Sequence, residues 1–418
     1  MVRSLTRTKD WMKVVGAVVV VSLLAACGGG GGGSGSSQSG NAPAPNVPNS
    51  VAVTVDQGVS RFANIPTVSV TVCAPGTSTC QTIDHVLLDT KSFGLRLVAA
   101  SLGSLASSLP GLPSGSGQLA QCTIFADGFT WGTIRTADVK IGGEQASGIP
   151  IQMVGDLPVA TTPAQNCTDR TANSENTASD LGANGILGVG VAPIDCGAAC
   201  AAPISAANPS TYFTCPAGTA TNNCQRASAP VAQQVANPVA RFASNNNGLV
   251  IQLPTVPDGG TASATGTLTF GVNTQANNTL PSSVTTFATD PAGDLDNSSF
   301  NGVNGVSAFF DTGSNGLFFT DGSLAQCGSE APQFYCPATT QTRSATLKGQ
   351  NSTSATVSFQ VANADSLFNS GNFAFSNLAG QNGSATSLDL GLPFFYGRTV
   401  YQGLDLTSTG GNAPFIGF

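Results

Sequence analysis

Residues 85–97 read HVLLDTKSFGLRL, and residues 309–319 read FFDTGSNGLFF. Aligned without gaps, 87–97 and 309–319 share Asp, Thr, Ser, Gly and Leu in five of eleven places. Each copy sets two large apolar residues before Asp-Thr and a Gly-Leu pair after it, the pattern of a buried strand running into a sharp turn. A chemically matched repeat at this distance predicts two lobes, each contributing one equivalent loop. The copies differ where it matters most: Lys91 stands where the second has Gly313.

Outward from these loops, the chain past residue 50 consists of short alternating apolar and polar runs punctuated by Gly, Pro, Asn and Asp, which predicts antiparallel β-structure. Strands are expected at 51–55, 67–72, 85–88, 130–141, 248–253, 265–271 and 355–361. One helix is expected over 229–243, broken or ended near Asn237-Pro238 because the residue before a proline disfavours the helical region. The Thr-, Asn- and Ala-rich segments 160–182, 195–226 and 272–300 read as surface insertions. Roughly 370 residues exceed what one core usually holds, so two β lobes are expected, at 51–250 and 251–418.

Residues 1–26 read as a targeting segment rather than as part of the fold. Arg3, Arg7, Lys9 and Lys13 precede an apolar run over 14–24 that is too short for a comfortable transmembrane helix. The run closes on Leu24-Ala25-Ala26-Cys27, which resembles the lipobox of bacterial lipoproteins and implies cleavage before Cys27 and its acylation. Six glycines and SGSSQSGNAPAPNVPNS follow, so residues 27–50 are expected to be a flexible tether between the membrane and a globular body. Gly28 after the cysteine, in place of Asp, points to the outer membrane of a Gram-negative cell envelope.

Residues 1–26 hold four of the chain's 15 basic groups and one of its 22 acidic groups, and their removal leaves a net charge of −10. Such a surface repels nucleic acid. Ten cysteines remain after Cys27, an even number in an oxidising compartment, which predicts five disulfides. Sequence does not determine their connectivity; short loops suggest Cys73–Cys80, Cys215–Cys224, Cys327–Cys336 and Cys196–Cys200, leaving Cys122 with Cys167. With no Cys-x-x-Cys pair and a single histidine, His85, a metal site is not expected. His85 reads as an ordinary strand residue whose neighbour Asp84 points to the opposite face. Trp131 and the Phe-rich strands read as core. No Gly-x-Ser-x-Gly, His-Glu-x-x-His or GxxxxGK[ST] loop is present, and no cofactor is expected.

Two carboxylates brought within about 3 Å cannot both ionise at neutral pH; they share a proton, so one can activate water while the other protonates a carbonyl. The paired Asp-Thr loops resemble the pepsin-like, two-lobed aspartic peptidases. The likeness extends to FADG at 125–128 with FTWGTIRTADVKIGGE, which is similar to the flap hairpin of that family with Phe125 at the usual Tyr. It extends also to NGILGVG at 184–190, to GTLTFG at 266–271, and to SLDLG at 387–391 with the closing PFIGF at 414–418. The lipobox and the segments NPVARF and NNNG at 237–248 are in turn similar to an uncharacterised family of bacterial lipoproteins with paired Asp-Thr/Ser-Gly motifs. The resemblance implies a mainly β, two-lobed architecture with few short helices. It also implies a catalytic dyad of Asp89 and Asp311, cross-lobe hydrogen bonds from Thr90 and Thr312, and Ser92 and Ser314 steadying the outer oxygens.

Lys91 and Phe125 depart from that pattern. A side chain at position 91 would hold the turns apart, and an ammonium about 6 Å from the pair at an effective dielectric of about 20 would favour ionised Asp by roughly 3 kcal/mol. Asp89 or Asp311 would then pair with Lys91 as a salt bridge, and Phe125 lacks the flap hydroxyl. The sequence therefore reads as an envelope-anchored lipoprotein that grips an extended peptide or protein between its lobes with proteolysis weakened or lost. The alternative is an active endopeptidase using Asp89 and Asp311.

Overall fold

The computed structural model of the protein describes residues 48–168, 173–216, 223–329 and 331–418. The expected signal segment 1–26, the expected acylation site Cys27 and the expected tether up to residue 47 lie outside the described residues. Asn49 is buried, its side-chain amide donating to Phe270 O at 2.7 Å, and the first strand is Ser50–Val55. The tertiary structure thus takes up the last residues of the expected tether.

The fold is mainly β and follows side-chain alternation closely. In Pro66–Cys73, Val68, Val70 and Val72 are buried while Ser69 is exposed, and in Ser354–Val361 the buried set is Val357, Phe359 and Val361. Period-two burial of this kind places one face on the core and the other toward water. The run Val86–Asp89 at the end of Cys80–Asp89 is instead buried without interruption, because that strand is central. All seven expected strands form, six with ends shifted by at most one residue, while the one expected at 85–88 begins five residues earlier, as Cys80–Asp89.

Two barrel-like sheets result, one of sixteen strands and one of seven. Within them, one four-strand arrangement occurs twice. Cys80–Asp89 runs parallel to Gly185–Val189, which pairs antiparallel with Phe93–Val98, itself parallel to Glu144–Val154. In the seven-stranded sheet Val303–Asp311 runs parallel to Ser387–Gly391, which pairs antiparallel with Leu317–Phe318, itself parallel to Ala379–Gly380. In each set an aspartate ends the first strand opposite a glycine of the second: Asp89 opposite Gly188, and Asp311 opposite Gly391. A Cβ on Gly188 would stand 2.7 Å from Phe93 N, and one on Gly391 only 2.0 Å from Gly316 O, so both glycines are required by backbone passing close overhead. Strand Gly248–Gln252 lies in the large sheet between Ala264–Phe270 and Thr399–Gly403.

The structure corrects three expectations. The helix over 229–243 is replaced by two single 3₁₀ turns, Val231–Gln233 and Val239–Arg241, each entered from a proline. Between them Gln234 is extended, and Ala236 bridges to Ile194 and donates to Pro150 O, so sheet contacts take the backbone groups a helix would have used. Segments 195–226 and 272–300 are not simple insertions: Tyr212–Cys215 extends the large sheet beside Gly117–Ile124, and Thr286–Ala288 and Leu295–Phe300 are strands. His85 is not an ordinary strand residue. It has φ +50° at a bulge where the register against Pro66–Cys73 slips, and the bulge swings Asp84 onto its own side, 3.5 Å from Nδ1.

All five suggested disulfides form. Cys73–Cys80 closes the hairpin that delivers Asp89, and Trp131 is fully buried with its indole N–H donating to Thr161 Oγ1 at 3.1 Å. Among the described residues, no helix is long and apolar enough to cross a membrane.

Candidate active site

The two Asp-Thr loops meet and hold each other through their threonines. Thr90 N donates to Thr312 Oγ1 at 3.1 Å and Thr312 N donates to Thr90 Oγ1 at 3.0 Å. Each hydroxyl then donates into the opposite strand, Thr90 to Phe310 O at 2.8 Å and Thr312 to Leu88 O at 2.6 Å. Both threonines are buried, so every bond is made away from water. Thr90→Val keeps the shape but leaves Thr312 N–H and Phe310 C=O without partners. It is expected to cost about 2–6 kcal/mol at one to three per orphaned group, read as a lowered urea midpoint at unchanged slope.

This clasp brings Asp89 and Asp311 together. Asp89 Oδ1 accepts from Lys91 N at 2.7 Å and Ser92 N at 3.1 Å, and Asp311 Oδ1 accepts from Gly313 N at 2.8 Å. A Cβ on Gly313 would stand 2.9 Å from Asp89 Cγ and 3.1 Å from Oδ1 of each aspartate, so Gly313 sits directly against the pair. The two carboxyls thus stand on either side of one point, each with its Oδ1 3.1 Å from it. Burial first, and the neighbouring Asp89 second, push the Asp311 carboxyl up to about 7. Such a pair holds a proton through the acid range and up to neutrality.

Lys91 does not enter the pair. Its N–H keeps the turn that a glycine would make, while its side chain crosses the Phe309 ring, 4.9 Å from the centroid, and ends in an ion pair with Asp294 and a 2.8 Å bond to Ala292 O. The turn that receives it is already built: Asp290 Oδ1 accepts from Ala292 N and Asp294 N. A salt bridge from Lys91 to Asp89 or Asp311 is therefore not formed.

The serines diverge. Ser314 Oγ donates toward Asp311 Oδ2 at 2.9 Å, whereas Ser92 Oγ is buried without a hydrogen-bond partner and reaches Asp89 only through its backbone N–H. Phe125 opens the turn of the hairpin Gly117–Ile124/Phe129–Ile141, with its N–H donating to Gly128 O at 2.8 Å, and packs on Leu87, Ala183 and Ile186. Leu87 lies two residues before Asp89, and Ile186 two before Gly188, so Phe125 covers the strand face that also presents Asp89. Sequence reasoning missed Asp294 and Asp389. Asp389 is buried and lies 2.6 Å from Ser314 Oγ; aligning ILG at 186–188 with DLG at 389–391 would have exposed the mismatch.

Fold and site together define a disulfide-bonded, mainly β protein with an aspartate pair where two clasped loops meet. The chain matches the family described as "Protein of unknown function (DUF3443)" over residues 45–418 and belongs to it. No curated protein matches the chain.

Proposed function

We propose that this protein is a lipid-anchored hydrolase of peptide bonds, with the two-lobed architecture of the pepsin-like aspartic peptidases, that works through the Asp89/Asp311 dyad. The observation that carries this reading is the threonine clasp with its facing carboxyls, together with the diversion of the Lys91 ammonium to Asp294. A water held between the carboxyls loses a proton to Asp89 as its oxygen attacks the substrate carbonyl. Asp311 gives its proton to the carbonyl oxygen. Collapse of the tetrahedral adduct returns that proton and passes the one on Asp89 to the leaving amine. Phe125, with Leu87 and Ile186, offers an apolar surface to a substrate side chain beside the scissile bond. The twice-repeated four-strand arrangement supports the two-lobed reading, with the cleft between 51–250 and 251–418. Cys27 and the tether would hold this body at the outer membrane.

Activity that needs the shared proton is lost as Asp311 ionises, so the alkaline limb of the rate is expected near pH 7. Incubation of the purified chain with an unfolded protein from pH 3 to 9, read by mass spectrometry of fragments, tests this. Absence of any fragment across the range would reject hydrolysis. A second reading, a cleft that binds a peptide without cutting it, draws on the idle Ser92 hydroxyl and on Phe125 in place of a flap hydroxyl. Retention of an extended peptide without fragments would favour it.

A further inference from the structure

A third carboxyl stands behind the pair. Ser314 Oγ lies 2.9 Å from Asp311 Oδ2 and 2.6 Å from Asp389 Oδ2. A hydroxyl has one proton to give, so it cannot donate to both; the second contact is attractive only where one of the two carboxyls carries a proton of its own. Asp311 is the better acceptor, because Gly313 N–H already supports its Oδ1, while Asp389 receives no N–H and its Oδ1 is buried with no partner. Asp389 lies between Leu388 and Leu390 in a central strand, opposite Phe309 and Phe318, where an ionised carboxylate is costly.

We propose that Asp389 is a positioning residue that stands protonated. Its Oδ2–H donates to Ser314 Oγ, the Ser314 hydroxyl donates to Asp311 Oδ2, and the proton shared by Asp311 and Asp89 is confined to the inner oxygens between them. Burial, and then the Asp311 charge, hold the Asp389 carboxyl well above the usual carboxylate range; the Ser314 hydroxyl and then Lys91 lower it by less, and Asp89 raises it further. The other half of the chain lacks this device, since Ile186 occupies the place of Asp389 and the Ser92 hydroxyl has nothing to orient it. The consequence for catalysis rests on the hydrolase reading above; the proton on Asp389 does not.

Infrared difference spectroscopy of the full chain, parent minus Asp389→Asn, is expected at pH 6 to show one protonated carboxyl C=O stretch. A carboxylate band in its place overturns the proposal whether or not the protein cuts peptides. In turnover, Asp389→Asn keeps a donor toward Ser314 and is expected to retain kcat within about threefold. Asp389→Ile supplies no donor and is expected to lower kcat by about ten- to thirtyfold with little change in KM, and to move the pH profile. Equal rates and superimposable pH profiles for the two variants would overturn the positioning role. A parent that cuts nothing, yet shows the C=O stretch, rejects the hydrolase reading and keeps the proton assignment.

Discussion

Asp311→Asn is expected to lower peptide hydrolysis by about 10²–10⁴-fold, the range that a positioned acid or base contributes. The amide carbonyl can still accept from Gly313 N–H, so the loop is retained while the titrating proton is lost. The same variant is expected to be more stable than the parent at neutral pH. The folded-state pKa of Asp311 is raised above its unfolded value, so folding favours the protonated form. Its contribution is fully present below about pH 4 and is lost as pH rises toward about 7, where the fold must hold an ionised Asp311 beside Asp89. Asparagine never ionises. Asp311→Asn should therefore match the parent at pH 4 and exceed it at pH 8 by about 1–3 kcal/mol, a gain reduced by the carboxyl's partial exposure. Urea midpoints at the two pH values check this; an equal difference at both would remove the ionisation account of the site.

Substitutions at the matching position of the two loops are expected to differ in what they cost. Gly313→Ala places a methyl 2.9 Å from Asp89 Cγ and 3.1 Å from Oδ1 of each aspartate, so the carboxyls must part. A displacement of about 1 Å at the reacting centre costs on the order of 100-fold in rate, and overpacking costs about 1–3 kcal/mol in stability. Lys91→Gly restores the residue of the other loop, yet it is expected to change the rate by less than about threefold, because the ammonium already sits on Asp294. Its effect should fall on stability instead, a loss of about 1 kcal/mol from the ion pair, the stem over Phe309 and the added freedom of glycine. Steady-state rates and urea midpoints of the two variants decide this. A tenfold rise in rate for Lys91→Gly would mean that the lysine restrains the dyad after all.

Much of this was legible in residue order, and the parts that were not share a cause. Alternation in 67–72 and 355–361 declares a half-buried strand without reference to any partner, and the Asp-Thr repeat declares paired loops because strand, turn and hydroxyl chemistry are local. Four of the disulfides were suggested by short loops for the same reason, and Cys122–Cys167 was the pair left over. The helix over 229–243 failed because its apolar spacing was overruled by prolines and by bonds to Ile194 and Pro150, which lie far along the chain. His85 failed because a bulge depends on the register of two strands together.

The site divides in the same way. Sequence by itself determined the β class, the even cysteine count that calls for five cross-links, and the identity of Asp89, Asp311, Thr90 and Thr312 as residues that belong together. Tertiary structure alone decided where the Lys91 charge goes, which serine is bonded, and that Asp389 stands behind Ser314. Each of those outcomes is set by a long-range partner, Asp294 for the lysine and a parallel strand for the serine, and a side chain's charge or proton takes its meaning from what the fold places within a few ångströms of it.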